Sequence, residues 1–136
     1  MKFRITLLLS IISLMIISCN NPKEEIRKEL NLGVKMLHRG QHTQAIQHLN
    51  LVIEMDSTQS EAHLYLGRAF FNQAKYPQSM LEYNAAIRFN EKYGEAYKSR
   101  AQLWFVLDNR SKSCEDYIKA EQLGVKNLDN YTRHCP

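Results

Sequence analysis

Residues 66–86 read "LGRAFFNQAKYPQSMLEYNAA", and this stretch decides the fold of the chain. Five of its positions carry residues that match, in size, those 34 residues before and after them. The recurring sets are Gly33, Gly67 and Ala101; Met36, Phe70 and Trp104; Ala45, Ser79 and Ser113; Leu49, Tyr83 and Tyr117; and Val52, Ala86 and Ala120. A fixed period of this length over three copies indicates a repeat architecture.

The alternation of sizes within one repeat predicts two packed helices. A small residue such as Gly67 lets two helix backbones approach, and Phe70, three positions later, fills the space beside it. The partner helix then presents small, large and small side chains at spacings of four and three, here Ser79, Tyr83 and Ala86. Each repeat is therefore expected to be a helical hairpin.

These sets resemble the signature of the tetratricopeptide repeat, which has Gly, an aromatic residue, and then Ala, an aromatic residue and Ala in the second helix. The resemblance implies an all-α fold of three hairpins, at about 26–59, 60–93 and 94–127, in a short right-handed superhelical solenoid. Residues 128–136 are expected to form a C-terminal capping helix, because the last hairpin of a solenoid otherwise exposes an apolar face. Arg100 stands where the family has Leu, and its charged head is expected in solvent.

Turn and cap signals agree with this division. Gly40 separates the apolar halves of the first repeat, and Pro77 stands where the second helix of the middle repeat should begin, a place where its missing N–H costs nothing. Thr58 and Glu61 have the spacing of a capping box. Ser111 is expected to cap the second helix of the last repeat.

In tetratricopeptide folds the first helix of each hairpin lines a concave face, so the resemblance also implies a binding groove. An apolar series follows the large column by one position, at Leu37, Phe71 and Phe105. The full set of expected groove residues is Leu30, Val34, Leu37, Leu64, Arg68, Phe71, Asn72, Lys98, Gln102, Phe105 and Val106. A protein or peptide partner is expected to bind there through apolar contacts, with Arg68 and Lys98 fixing its polar ends.

Two other interpretations of the apolar series stay open. The neighbouring repeat can cover it in part, which would make it packing, or an exposed apolar face can pair with a second copy to give a homodimer. A carboxylate clamp of the kind that grips peptide C termini is not expected. Leu30 and Val34 stand at its positions in the first repeat, and Glu95 and Ser99 in the third.

The first eighteen residues have the anatomy of a secretory signal, with two basic residues before an apolar stretch too short to span a membrane. The next stretch, Ile16-Ile17-Ser18-Cys19, resembles the bacterial lipobox. The resemblance implies that 1–18 are a lipoprotein signal peptide and that 19–25 are the lipidated Cys19 and a short tether. The alternative is an ordinary signal peptide with a cysteine near its end.

The residues after Cys19 bear on location. Asn20 is not the Asp that resembles an inner-membrane retention signal, so the resemblance implies the outer membrane, on its periplasmic face. Lys23, Glu24 and Glu25 also fit a surface-export signal, although they equally form the acidic first turn of a helix begun by Pro22, and we prefer that second interpretation.

The charge pattern excludes one class of function. The chain has 18 basic and 14 acidic residues, a formal net charge of +4, and removal of the two basic residues of the signal leaves 16 against 14. The basic residues are interleaved with acidic ones, so there is no block that would neutralise phosphates. Nucleic-acid binding is therefore not expected.

Catalytic and metal-binding patterns are also missing from the sequence. His38 and His42 have the spacing of a helical metal pair, but Gly40 and the expected turn fall between them. Glu115 and Asp116 are adjacent, so their side chains diverge by about 100° on a helix. The protein is expected to be no enzyme and to use no metal or cofactor.

With Cys19 lipidated, Cys114 and Cys135 remain, and an exported compartment would permit them to pair. A bridge would pin the capping helix to the last hairpin and stabilise the fold by roughly 3 kcal/mol. The alternative is that Cys114 is only a buried small apolar residue, since Ile46 and Met80 occupy its position in the other repeats.

Together these features predict a membrane-anchored scaffold or adapter that binds a protein or peptide partner in the cell envelope. Two alternatives are a structural or self-associating lipoprotein without a separate client, and an accessory regulator of an envelope enzyme.

Overall fold

The computed structural model describes residues 21–133 and residue 135. The proposed signal peptide and Cys19 lie outside the described residues. Among the residues that the structure describes, no helix combines the length and the apolar character needed to cross a bilayer.

Regular structure in the described residues is entirely helical. The helices are α1 (Pro22–His38), α2 (His42–Met55), α3 (Ser60–Asn72), α4 (Tyr76–Phe89), α5 (Gly94–Val106), α6 (Arg110–Gln122) and α7 (Asp129–Thr132). They pair as hairpin 1 (α1 and α2), hairpin 2 (α3 and α4) and hairpin 3 (α5 and α6), and α7 contacts α6. Consecutive hairpins pack through α2 on α3 and α4 on α5, and α3 also touches both α1 and α5. The predicted all-α solenoid of three hairpins with a capping helix is confirmed.

The 34-residue period marks the packing seams. All members of four of the five recurring sets are buried, and only Met36, Phe70 and Trp104 are half-buried. Within hairpin 2, a Cβ atom on Gly67 would lie 2.6 Å from the Tyr83 ring. Within hairpin 1, a Cβ atom on Gly33 would lie 2.8 Å from Leu49 Cγ. The small column thus lets the two helices of a hairpin touch at one large side chain.

Helix starts follow the sequence in part. Pro22 and Pro77 lie in the first turns of α1 and α4, and Gly40 adopts a left-handed φ of +74° between α1 and α2. Residues 22–25 therefore belong to α1 and not to the tether, as the preferred alternative for Pro22 predicted.

Two predicted caps are wrong. Gln59, not Thr58, precedes α3, and the Thr58 hydroxyl donates instead to the Asp56 carboxylate. At α6 the cap is Asn109, whose side chain accepts from the Lys112 backbone N–H, so Ser111 already lies inside the helix. In both cases another polar residue in the same loop was better placed for its own backbone.

Both ends of the array are closed by charge. In hairpin 2, Leu64, Tyr76 and Ile87 pack against residues of hairpin 3, whereas the positions 34 residues later hold Lys98, Arg110 and Glu121. At the other end, the buried positions of Ala62 and Ala69 correspond to the exposed Lys28 and Lys35 of hairpin 1. A further hairpin would have to bury these charges, which is costly unless they are paired.

The capping segment completes the C-terminal end. Leu128 is buried with Tyr117 and Ala120, and the Tyr131 ring stacks on Tyr117 with centroids 4.7 Å apart. Cys114 of α6 and Cys135 form a disulfide, with Cα atoms 5.5 Å apart. The bridge left open by the sequence is therefore present, and it ties the cap to hairpin 3.

The close contact at Gly67 gives a prediction with an unusual sign. Gly→Ala inside a helix ordinarily adds stability, by up to about 1 kcal/mol, but Gly67→Ala forces its new methyl against Tyr83. We expect the free energy of unfolding in urea to fall by about 1–3 kcal/mol. Asn50→Ala, at an exposed position of α2, serves as the control and should be neutral or stabilising. A stabilising Gly67→Ala would refute the packing role of this column.

Candidate functional site

The first helices of the three hairpins form the candidate binding surface. Because α3 contacts both α1 and α5, the predicted groove residues of successive hairpins lie side by side. The structure leaves six of them half-buried, namely Leu30, Val34, Leu37, Arg68, Phe71 and Lys98, and leaves Asn72, Gln102, Phe105 and Val106 exposed. Leu64 is the exception.

Leu64 is wrongly assigned to the groove. It is only 1% exposed and belongs to a core cluster with Tyr83, Ala96 and Leu103. Two of these neighbours come from hairpin 3, so the next repeat covers Leu64 completely. A partner cannot reach it.

The apolar series is also largely covered. Leu37 packs against a cluster that includes Ala62 of hairpin 2, and Phe71 packs against the one that includes Ala96 of hairpin 3. Phe105 has no following hairpin and is 53% exposed. The predicted ladder is thus packing in its first two members and accessible surface only in its last.

Arg68 does not stand ready to grip a ligand. Its guanidinium donates to the Ser99 hydroxyl at 3.1 Å and to the Glu95 carboxylate at 2.9 Å, which links α3 to α5. Lys98 Nζ lies 3.6 Å from the same carboxylate. Two cations therefore share one anion, and the surface keeps one net positive charge centred on Lys98.

The accessible part of the surface is consequently mixed. Val34 and Leu30 supply half-buried apolar area on α1, Asn72 and Gln102 supply exposed amides on α3 and α5, and Lys98 supplies the charge. Such a surface suits a segment that offers both backbone groups and apolar side chains. It holds no nucleophile activated by a base.

A second set of contacts was missed in the sequence. Glu29 and His48 pair across hairpin 1 at 2.7 Å, and His63 and Glu82 pair across hairpin 2 at the same distance. The pair is exchanged between repeats, because Glu29 and His63 are 34 residues apart and so are His48 and Glu82. A search for complementary charges in the repeat columns would have found it.

Hairpin 3 has a different version of this pair. Asp116 follows Glu82 by one repeat, and its two carboxylate oxygens accept from the Arg100 guanidinium at 2.7 and 2.8 Å. The expectation that the head of Arg100 reaches solvent is wrong, because the guanidinium is held inside the hairpin by a buried carboxylate. Hydrogen bonding to Asp116 raises the pKa of Arg100.

The His63–Glu82 pair resembles the acid–base dyads of enzymes, yet both ring nitrogens are already occupied. Nδ1 faces Glu82 and Nε2 faces the Ser57 carbonyl at 3.0 Å, an arrangement that a doubly protonated imidazolium satisfies by donating to both. Burial disfavours this charge and is the largest single influence, but the hydrogen bonds to Glu82 and Ser57 together outweigh it. The pKa of His63 is therefore raised above its ordinary value of 6.5.

Metal chemistry finds no frame in the described part of the chain. Across residues 21–133 and 135, no cluster of three His, Cys, Asp or Glu side chains is arranged to hold an ion. His38 ends α1 and His42 begins α2, so the turn at Gly40 separates them as expected.

Known proteins share this architecture. No family model matches the chain. Over 67 residues, 49% of its length, it is 34% identical to the Hsp70-Hsp90 organizing protein of Triticum aestivum, and the match spans only 12% of that wheat protein.

Two solved structures are similar over most of the chain. The first tetratricopeptide domain of Spaghetti (RPAP3), bound to the HSP90 peptide SRMEEVD, has a TM-score of 0.75 and 21% identity, covering 81% of this chain and 89% of that one. The Yersinia enterocolitica type III secretion chaperone SycD, in complex with a peptide of the translocator YopD, has a TM-score of 0.72 and 12% identity, covering 81% and 86%. The fold is therefore the tetratricopeptide fold.

The raised pKa of His63 makes stability depend on pH. A raised folded pKa adds stability that is complete below the unfolded pKa, about 6.5, and that is lost as the pH rises through the folded value. Glu82→Gln removes the carboxylate that supports the charge. We expect it to lower the free energy of unfolding by roughly 1–3 kcal/mol at acidic pH, as for other hydrogen bonds to charged groups, and by less at alkaline pH.

The measurement is urea unfolding on either side of neutrality, at about pH 5.5 and about pH 8.5. Glu54→Gln removes an exposed carboxylate of α2 and is the matched control, for which the difference between the two pH values should stay near that of the wild type. An equal loss for Glu82→Gln at both pH values would contradict a charged His63.

Proposed function

We propose that the protein is a lipid-anchored adapter of the bacterial cell envelope that binds a peptide segment of a partner protein along α1, α3 and α5. The observation that carries this proposal is the mixed surface of the first helices, with accessible amides at Asn72 and Gln102 and a net positive charge at Lys98. Two similar folds, RPAP3 and SycD, were solved with peptides bound.

The chemistry of this surface describes the ligand. Asn72 and Gln102 can hydrogen-bond the backbone of an extended or helical segment, and Leu30 and Val34 can receive apolar side chains. Lys98, which shares Glu95 with Arg68, favours an acidic residue in the partner. Since the two cations already have one carboxylate between them, charge would contribute less to affinity than apolar contact and backbone hydrogen bonding.

The anchor is the second part of the proposal. The lipobox-like stretch before Cys19 supports acylation of that cysteine, and Asn20 supports sorting to the outer membrane. Because α1 begins at Pro22, only residues 20 and 21 would separate the acylated cysteine from the folded domain. The partner would then be held close to the membrane surface.

A photo-crosslinking amino acid tests the binding surface in living cells. We place p-benzoylphenylalanine at Asn72 and, separately, at Gln102, both exposed on first helices. We expect crosslinks to the same partner from both positions, because neighbouring first helices would contact one ligand.

The matched control is Leu81, a 67% exposed position of the second helix α4. It should give no such product. Equal crosslinking from Leu81 would contradict a site on the first helices, and products consisting only of this chain would favour the self-associating alternative.

Cys19→Ala tests the anchor. Without the thiol no acyl chain can be attached, and since several acyl chains are needed for stable anchoring, we expect the variant to leave the membrane fraction. Fractionation of the cells together with the mass of the mature N-terminal peptide provides the measurement. Cys114→Ser is the control and should stay with the membrane. Retention of Cys19→Ala in the membrane would refute lipidation at this residue.

A further inference from the structure

A cavity of about 310 Å³ opens at the C-terminal end of the first-helix surface. Its lining comes from α5, α6 and α7 and consists of Phe105, Arg110, Ser111, Ser113, Cys114, Tyr117, Asn130 and Tyr131. The volume lies at the lower end of the roughly 300–1,000 Å³ range of small-ligand sites. We refer to it as the terminal pocket.

The repeat pattern explains why the terminal pocket exists. In hairpin 2 the equivalents of Phe105, Cys114 and Tyr117 are Phe71, Met80 and Tyr83, which pack against or belong to the core shared with hairpin 3. Hairpin 3 has no successor, and the four-residue helix α7 replaces only part of one. The remaining space is the pocket.

Three aromatic rings form its walls. Phe105 and Tyr131 are 53% and 50% exposed, and Tyr131 is held in place by its stacking on Tyr117 and by the disulfide between Cys114 and Cys135. Burial, with a smaller influence of Tyr131, raises the pKa of Tyr117 to about 12, so its hydroxyl stays neutral. The pocket thus offers ring faces and edges to a ligand of similar character.

One cation stands at the rim. The Arg110 guanidinium carbon lies 4.8 Å from the centre of the Phe105 ring. Its ion pair with Asp108 is long, at 3.9 Å, and both side chains are strongly exposed. An exposed pair of this length is weak, so Arg110 is able to turn to a carboxylate brought in beside the pocket.

We propose that the terminal pocket binds an aromatic side chain of the peptide partner, with an adjacent acidic residue of that peptide paired to Arg110. This inference rests on the proposed function, which it extends by a residue-level preference. Continuity supports it, because Phe105 belongs both to the pocket and to the accessible end of the first-helix surface. Charge complementarity selects the acidic neighbour.

The test uses a probe small enough to need no other part of the surface. N-acetyl-Glu-Phe-amide is titrated into the ¹⁵N-labelled full chain in detergent, and backbone amide shifts are followed by NMR. We expect saturable shifts confined to Phe105, Arg110 and the segment around Tyr131, with a dissociation constant on the order of 1 mM. N-acetyl-Glu-Ala-amide, which lacks the ring, should leave these signals unmoved.

Variants separate the two contacts. Arg110→Glu should weaken the Glu-Phe probe about fivefold and make N-acetyl-Lys-Phe-amide the better ligand. Tyr131→Ala removes a wall without touching the core cluster and should abolish saturation by either Phe probe. Leu81→Ala, an exposed apolar truncation elsewhere, should bind like the wild type.

The disulfide gives an independent readout. Cys135→Ser leaves hairpin 3 intact but releases α7, so binding of the Glu-Phe probe should fall to the level of Tyr131→Ala while the signals of hairpins 1 and 2 stay in place. Unchanged binding in Cys135→Ser and Tyr131→Ala would overturn the pocket.

Failure of this inference differs from failure of the proposed function. No saturable shift with the Glu-Phe probe at about 10 mM, a concentration that would nearly fill a site of 1 mM affinity, overturns the terminal pocket whatever the crosslinking shows. Crosslinks from Asn72 and Gln102 in that case would leave the first-helix surface standing. Shifts spread over α1 and α3 would overturn the pocket equally.

Discussion

The contact between a helix that lacks a side chain and one large side chain of its partner governs this fold. Tyr83 lies against the backbone at Gly67, and Leu49 lies against the backbone at Gly33. Once the two helices of a hairpin approach this closely, their remaining side chains are divided into those between the helices and those on the hairpin faces. The next hairpin covers one of these faces, and the array grows by repeating the same step.

The extent to which sequence predicted this structure follows from that division. The contact inside a hairpin depends on residues a few positions apart, so the size pattern of Gly67, Phe70, Tyr83 and Ala86 was enough to identify it. Coverage of Leu64 and Phe71 depends on a hairpin some thirty residues later, whose approach the pattern does not specify. Those two residues were accordingly placed on the wrong side of the boundary between core and surface.

Charges were harder to place than apolar residues for a related reason. Arg100 and Arg68 look like solvent-facing cations in sequence, but Asp116 and Glu95 lie opposite them once the helices pack. The exchanged pairs at Glu29–His48 and His63–Glu82 show the same effect. A partner for each cation could have been sought in the repeat columns, whereas the distances that decide pairing come only with the folded chain. The surface that remains for binding is therefore less charged than the composition suggests.

The closed ends of the array also affect how such a chain can change in length. Lys28 and Lys35 at one end, and Lys98, Arg110 and Glu121 at the other, leave the middle hairpin as the one unit with apolar faces towards both neighbours. A duplicated copy of residues 60–93 inserted in the interior would meet matching faces and lengthen the solenoid. The same copy fused to either terminus would meet lysine or arginine. Growth by internal duplication is thus compatible with this fold, and growth by concatenation would yield separate domains joined like beads.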